Sequence, residues 1–272
     1  MDVKLGICNF CFPGTGLFAP QLVREAGLDG MSIEYGAYEK GYPLSQKIIR
    51  DLYLDAQQKY AVEYPNIGCS DGDFLPFHMR PSDPRFATVR RAHFDAVDAA
   101  VYMKIPAVFF SNFNASLVKT EEDLEFTARR YRELCDYAGE KGIEIGCECP
   151  LSVERQLELV DRVGKVNFKL FYDSDNYSYF TSFRQVDVLD GIYPHMMNQL
   201  HVKDSTEGHI ANALLGTGVS DFQGSIDYLK DHGFSGWLII ENLYEKEDFQ
   251  SISPERMETV KEDVKRLKEA VR

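Results

Sequence analysis

The chain has 272 residues, 44% of them hydrophobic and 27% charged, a balance that lets burial offset the entropy lost on folding and excludes a disordered polypeptide. Thirty basic against 43 acidic side chains leave a formal net charge of −13, and a surface of that sign repels phosphate backbones, so nucleic acid is excluded as the expected partner. The opening run MDVKLGICNF lacks the basic flank and unbroken apolar core of a secretory signal, and no stretch approaches the roughly 18 apolar residues of a membrane span.

Taken in chain order, short apolar runs alternate with longer amphipathic ones. A strand expected at 4–10 precedes a helical pattern at 17–26, then 30–35 precedes 44–59, 62–67 precedes 85–101, and 107–112 precedes 121–141. The second half continues with 143–149 before 154–163, 168–173 before a weaker pattern at 183–193, 199–203 before 225–232, and 237–241 before 254–271. Thr120 with Glu121, Glu122 and Asp123 predicts a capped helix start, and Gly142 and Gly233 sit where helices should stop. Eight such units, with no proline-rich linker between them, predict an α/β fold: one (β/α)8 barrel over residues 1–272. The longest irregular stretch, 69–84, is expected either to cover the barrel mouth or to be a surface excursion.

Six cysteines, at 8, 11, 69, 135, 147 and 149, are too sparse for a disulfide framework and fit a reducing cytoplasm. Cys8 and Cys11 have knuckle spacing, but Cys147 and Cys149 do not complete it, so the thiols are expected to pack as small hydrophobes.

Four strands end on residues with metal-binding side chains: Glu148 in IGCECP, Asp173 in LFYDSDN, His201 in QLHVKDS and Glu241 in LIIENLY. In a parallel barrel the C-terminal strand ends open on one mouth, so residues far apart in sequence meet there. Alternation turns them inward: with Glu241 facing in, Leu238 and Ile240 face the helices, and Leu200 and Val202 flank an inward His201. A close pair of like charges costs about 4 kcal/mol at an effective dielectric near 20. Three carboxylates crowded at one mouth therefore call for a divalent cation. The oxygen and nitrogen donor set suits Mn²⁺ first, then Mg²⁺, Co²⁺ or Zn²⁺. Each residue taken singly is an ordinary solvated acid or satisfied histidine, and the metal reading rests on their falling on strands five to eight in succession.

Around this set, Lys203 is expected either to place positive charge beside a developing anion or to form a buried salt bridge. Glu34, Tyr64, Asn66 and Asn112 close strands two to four and are expected to hydrogen-bond substrate hydroxyls at the same mouth, while Phe10, Phe12, Phe74 and Tyr177 are candidates for an apolar wall. GTG at 216–218 is too short to signal a phosphate loop, so the expected substrate lacks a phosphate.

The same segments carry a family likeness. HVKD at 201–204, GTGVSDF at 216–222 and IIEN at 239–242, with Glu148 and Asp173, resemble the xylose isomerase-like superfamily of TIM barrels, which holds sugar isomerases, ketose 3-epimerases, inosose dehydratases and endonuclease IV. The resemblance implies a metal-dependent isomerase or epimerase of a sugar or polyol ketone, with Glu148 and Glu241 exchanging a proton through an enediolate while Asp173 and His201 hold the metal. It also implies the alternative of an inosose-type dehydratase using the same site. An endonuclease IV-like enzyme is disfavoured by the charge and by too few histidines, and a non-catalytic sugar binder by the intact ligand set. One departure stands out: relatives often read Asp-Thr-Gly-His or Asp-Thr-Gly-Asn where this chain reads Asp173-Ser174-Asp175-Asn176. Asn176 falls where some relatives have a substrate-binding histidine, and the extra acid at Asp175 is expected to bear on substrate choice. The expected partner is a small sugar or polyol, with neither nucleic acid nor membrane, and a homo-oligomer is compatible with that reading.

Overall fold

The computed structural model describes residues 1–12, 16–252 and 255–272. Eight parallel strands close into a barrel in chain order: β1 (Asp2–Cys8), β2 (Gly30–Glu34), β3 (Ile67–Cys69), β4 (Ala107–Ser111), β5 (Glu144–Glu148), β6 (Phe168–Asp173), β7 (Met196–Val202) and β8 (Ser235–Ile240). β1 pairs with β8, so no sheet edge is left open. The covering helices are α1 (Ala19–Ala26), α2 (Lys47–Tyr60), α3 (Phe86–Met103), α4 (Glu121–Gly139), α5 (Val153–Val163), α6 (Asn176–Phe180), α7 (Gln185–Ile192), α8 (Phe222–Asp231), α9 (Glu247–Ile252) and α10 (Arg256–Ala270). The TIM barrel expected from the alternation is therefore present, with α6 and α9 as additional short helices. Pro254, where the last helix was expected to begin, lies outside the described residues. No helix among the described residues is long and apolar enough to cross a membrane.

The expected local signals act as their chemistry dictates. Thr120 accepts the Asp123 amide while the Asp123 carboxylate accepts the Thr120 amide, a reciprocal cap on α4. Gly142 and Gly233 adopt φ of +72° and +64°, the left-handed conformation that ends a helix and that glycine takes without strain.

Strand three departs from expectation. The 62–67 run does not pair along its length: Glu63 makes an isolated bridge to Gly30, and regular pairing begins only at Ile67. Pro65 has no amide proton to give to a ladder, which accounts for the late start. β1 likewise stops at Cys8 because Asn9–Cys11 turns into a 3-10 helix.

Inside the barrel, Phe109 and Phe171 stack with ring centroids 4.5 Å apart and pack with Ala107 and Met197 as a separate apolar cluster. Glycines make room for them. A Cβ at Gly68 would lie 2.8 Å from the Phe109 ring, and one at Gly146 would lie 2.8 Å from Phe109 Cβ. This aromatic plug is the floor beneath the mouth.

The loop after β3 is built into the rim. Ser70–Asp73 forms one 3-10 turn, after which Leu75 and Met79 pack on Val89 and Phe77 stacks on Tyr131 at 4.4 Å. Asp71 anchors the turn by accepting the Tyr38 amide at 2.8 Å and the Tyr42 hydroxyl at 2.6 Å, with His93 Nε2 at 3.7 Å. Gly72 presses so close to β4 that a Cβ there would lie 1.8 Å from the Ser111 carbonyl oxygen. Gly72→Ala must displace that backbone, and we expect it to cost about 1 to 3 kcal/mol or more, the usual range for overpacking. Urea unfolding of the purified variant measures this, and an unchanged midpoint would contradict the contact.

Candidate metal centre and cavity

Strand register assembles the centre. Asp173 pairs with His201 across β6 and β7, and Ser111 pairs with Glu148 across β4 and β5. The Glu241 amide donates to the Val202 carbonyl at 3.0 Å, which sets Glu241 beside Lys203 just past the end of β7. One ligand atom from each of Glu148, Asp173, His201 and Glu241 lies within 4.8 Å of the others. The four residues expected to converge therefore do so, three from β5, β6 and β7 and Glu241 from the position just after β8.

His201 is fully buried, its ring met edge-on by Phe109 and Phe171 at 5.2 and 4.6 Å. Nδ1 faces the acids, 3.2 Å from Glu148 Oε1, 3.4 Å from Glu241 Oε2 and 3.8 Å from Asp173 Oδ2. Asp173 Oδ1 accepts the Asp175 and Asn176 amides at 2.7 and 2.9 Å. Its Oδ2 is buried without a hydrogen bond, although Lys203 Nζ stands 3.2 Å away. That oxygen faces an ammonium, an imidazole and two further carboxylates, a cluster whose oxygen and nitrogen donors fit a divalent cation.

Lys203 forms the expected salt bridge, its ammonium 2.5 Å from Glu241 Oε2, and its side chain lines the cavity. Burial raises the Asp173 carboxyl to about 7, with Lys203 opposing the rise. Burial also disfavours ionised Glu241, but His201 and Lys203 outweigh it and hold that carboxyl far below the usual range. His201 and Lys203 are disfavoured as cations by burial, yet Glu241 and the other acids keep both pKa values well above ordinary.

Above the centre opens a cavity of about 470 Å³, a size that suits a small metabolite. Of the expected hydroxyl-binding residues, Glu34 lines it with Oε1 fixed by the Ser70 hydroxyl at 2.7 Å, and Asn176 lines it while donating to Glu148 Oε1 at 3.0 Å. Two others are corrected. Asn66 lies beneath the mouth, where its Oδ1 accepts from Ser32 at 2.5 Å and its Nδ2 donates to Gln199 at 2.8 Å, because β3 starts one residue after it. Asn112 is one residue past the inward Ser111 and so faces the helix layer, where Tyr131 donates to its Oδ1. Tyr64 is also turned outward, donating to the Tyr53 carbonyl at 2.8 Å.

The aromatic wall differs in part too. Phe10 and Phe74 line the cavity, whereas Phe12 and Tyr177 are buried elsewhere, and Phe113 stacked on Phe180 at 4.9 Å takes their place. Asp175 points away from the cavity, tying the β6 loop to the β7 loop through Ser205 at 2.7 Å and the Ala211 amide at 3.2 Å. The GTG run serves a carboxylate of the chain itself: Asp204 Oδ2 accepts the Gly216 and Gly218 amides at 2.9 and 2.8 Å, leaving neither for a phosphate.

Asp73 escaped the sequence reading. It lines the cavity from the 3-10 turn after β3, and its carboxyl is pushed up to about 7 by burial first and then by Glu148 and Glu241. The only signal for it was its place in the acidic SDGDF run, which the misplaced third strand left without an address. The thiols are all buried and unpaired, as expected, but Cys8 does more than pack: its Sγ lies 3.4 Å from His201 Nε2. Burial, with the Cys11 hydrogen bond adding to it, keeps that thiol protonated.

Comparison with known proteins accords with this geometry. Residues 20–270 match the family model described as xylose isomerase-like TIM barrel. The chain belongs to that family. It is 23% identical over 251 residues to the 2-epi-5-epi-valiolone 7-phosphate 2-epimerase of Actinoplanes sp., covering 90% of this chain and 88% of that one. Among solved structures it is similar to the D-psicose 3-epimerase of Clostridium cellulolyticum H10 crystallised with D-tagatose, with TM-score 0.79 and 12% identity over 99% of both chains. It is also similar to the D-allulose 3-epimerase of Methylomonas sp., with TM-score 0.76, 17% identity and coverage of 99% and 98%. A further match is the IOLI protein with a bound zinc atom, with TM-score 0.77, 16% identity and coverage of 99% and 98%.

The titration of the centre sets a test. Asp173 keeps a proton below about pH 7 and His201 keeps one through neutrality, so a cation that takes both as ligands must displace those protons. Affinity then rises with pH through about 7 and falls as acid returns the protons. Calorimetric titration with Mn²⁺ in buffers of different ionisation enthalpy should show at least one proton released at pH 7 and tighter binding at pH 8 than at pH 6. Equal affinity at both values would count against this donor set.

Proposed function

We propose that the chain is a metal-dependent epimerase or isomerase of an unphosphorylated sugar or polyol ketone. The observation that carries the reading is the placing of two glutamates, Glu148 and Glu241, three strands apart at the floor of one cavity, each within 3.4 Å of the same imidazole nitrogen. Glu148, Asp173, His201 and Glu241 would hold the ion, which when bound supplies Lewis-acid polarisation of a substrate carbonyl. The preference for Mn²⁺ is retained, and the zinc bound in the similar IOLI structure supports a divalent ion without choosing between them.

The chain's own residues account for the rest. One glutamate takes the proton from the carbon beside the carbonyl, and the other returns a proton from the opposite side, which inverts or moves the hydroxyl-bearing centre. Lys203, already against Glu241, balances negative charge as the enediolate forms. Asn176 orients Glu148, while Glu34 and Asp73 are placed to accept from substrate hydroxyls further out. The stacked Phe113 and Phe180 offer an apolar face to a carbon skeleton. Among the described residues lining the cavity the cations are Lys40 and Lys203, and Lys203 is committed to acids, which is why a phosphate is not proposed.

A screen of ketohexoses, ketopentoses and inososes with Mn²⁺ identifies the substrate by chromatography. In D₂O, deuterium should enter at the carbon beside the carbonyl, and Glu148→Gln and Glu241→Gln should each slow that exchange by about 10²- to 10⁴-fold with metal occupancy measured alongside. Full activity in both variants rules the mechanism out. A product lighter by one water would assign the dehydratase reaction in place of epimerisation.

His201→Ala removes a ligand but neither proton-transfer group, so its activity should fall and be partly rescued by excess Mn²⁺. Asp73→Asn should act on KM more than on kcat for the substrate found, and an unchanged KM would remove Asp73 from the binding surface.

A further inference from the structure

The knuckle-like pair Cys8 and Cys11 has no place in the reaction, yet Cys8 touches the centre. Its Sγ lies 3.4 Å from His201 Nε2, the ring nitrogen other than the one facing Glu148, and within 4.8 Å of a Glu241 oxygen. Among the described residues Cys8 is the hydrogen-bonding partner of that nitrogen, and Phe109 and Phe171 pack against the ring at 5.2 and 4.6 Å. Cys8 itself has no exposed surface, so water is not at hand to replace it.

An imidazole that gives Nδ1 to a metal must carry its remaining proton on Nε2, and a buried N–H needs an acceptor. Ligating histidines ordinarily find a carboxylate, a carbonyl or water for that purpose. Here the group within reach of Nε2 is the sulfur of Cys8.

We propose that Cys8 is a positioning residue of the metal centre: its sulfur accepts the Nε2–H of His201 and thereby fixes the ring with Nδ1 turned to Glu148, Asp173 and Glu241. This inference rests on the metal reading above. It differs from a packing role in a measurable way. Packing is preserved by Cys8→Val, which fills the volume and suits a strand, and is harmed by the smaller, polar Cys8→Ser. Acceptance of a hydrogen bond reverses that order, since serine keeps an acceptor and valine has none.

The experiment compares wild type, Cys8→Val and Cys8→Ser by chelator competition for Mn²⁺ and Zn²⁺. ¹H–¹⁵N spectra of the zinc-loaded and metal-free chains follow the imidazole. Cys8→Val should bind both ions about 10- to 100-fold more weakly, the usual loss when a partner of a ligand is removed, and Cys8→Ser should stay closer to wild type than to Cys8→Val. A slowly exchanging His201 Nε2–H should be visible in wild type and Cys8→Ser and lost in Cys8→Val. Wild-type affinity in Cys8→Val, or a larger loss in Cys8→Ser than in Cys8→Val, overturns the proposal. So does a zinc-loaded wild type whose Nε2 carries no proton. A wild type that binds neither ion sinks the metal reading and this inference together, whereas binding that is indifferent to Cys8 sinks this inference alone. If Cys8→Val does not fold, the Nε2–H of wild type and its persistence in Cys8→Ser decide the matter.

Discussion

The structure turns on the compensation of three clustered carboxylates, two buried and one half-buried, by an imidazole and an ammonium over an aromatic floor. Glu148 and Asp173 are almost wholly buried, and Glu241 stands beside them against Lys203. Charges so placed are stable only when paired. Lys203 and His201 supply that pairing: they hold the Glu241 carboxyl far below its usual range and oppose the burial that raises Asp173 to about 7. The cluster is thus held together by the opposite charges of its own side chains.

Nothing in that arrangement stands on the ligands alone. The aromatic plug of Phe109 and Phe171 depends on the absence of side chains at Gly68 and Gly146, and the plug in turn meets the ring of His201. Asp71 and Gly72 hold the turn that brings Asp73 to the cavity. A centre at the end of a barrel is in this sense an outcome of packing several layers below it.

Strands five to eight were legible because each ends in an acid or a histidine at the same phase of the alternation, and a parallel barrel brings equal phases to one mouth. Strand three was not. Pro65 delays its pairing, so counting from its apolar run put Asn66 at the rim when it belongs inside, bonded to Ser32 and Gln199. On strand four the inward phase runs through Ala107, Phe109 and Ser111, so Asn112, one residue further on, faces outward although its apolar run points to the rim. Asp73 was out of reach for another reason, since its position depends on a contact between Gly72 and Ser111 some forty residues away in sequence. Asp175 showed the converse, an acid in a suggestive place whose hydrogen bonds turn it to the loops.

Asp175, Asp204 and Asp263 together give the mouth two unequal halves. On the β6 to β8 side these buried carboxylates stitch successive loops to one another and to α10: Asp204 accepts from Ser220 at 2.8 Å as well as from the glycine amides, and Asp263 accepts from the Leu215 amide, Asn242 and Tyr244 at 2.7 to 2.8 Å. Replacing any of them strands several buried donors at once. On the β2 to β4 side, the residues that reach the cavity, such as Lys40, Phe74 and Asn114, are exposed and owe few such debts. Substitution at those exposed β2 to β4 positions therefore disturbs few buried partners, while the other half is kept in place by the number of partners each of its acids would abandon.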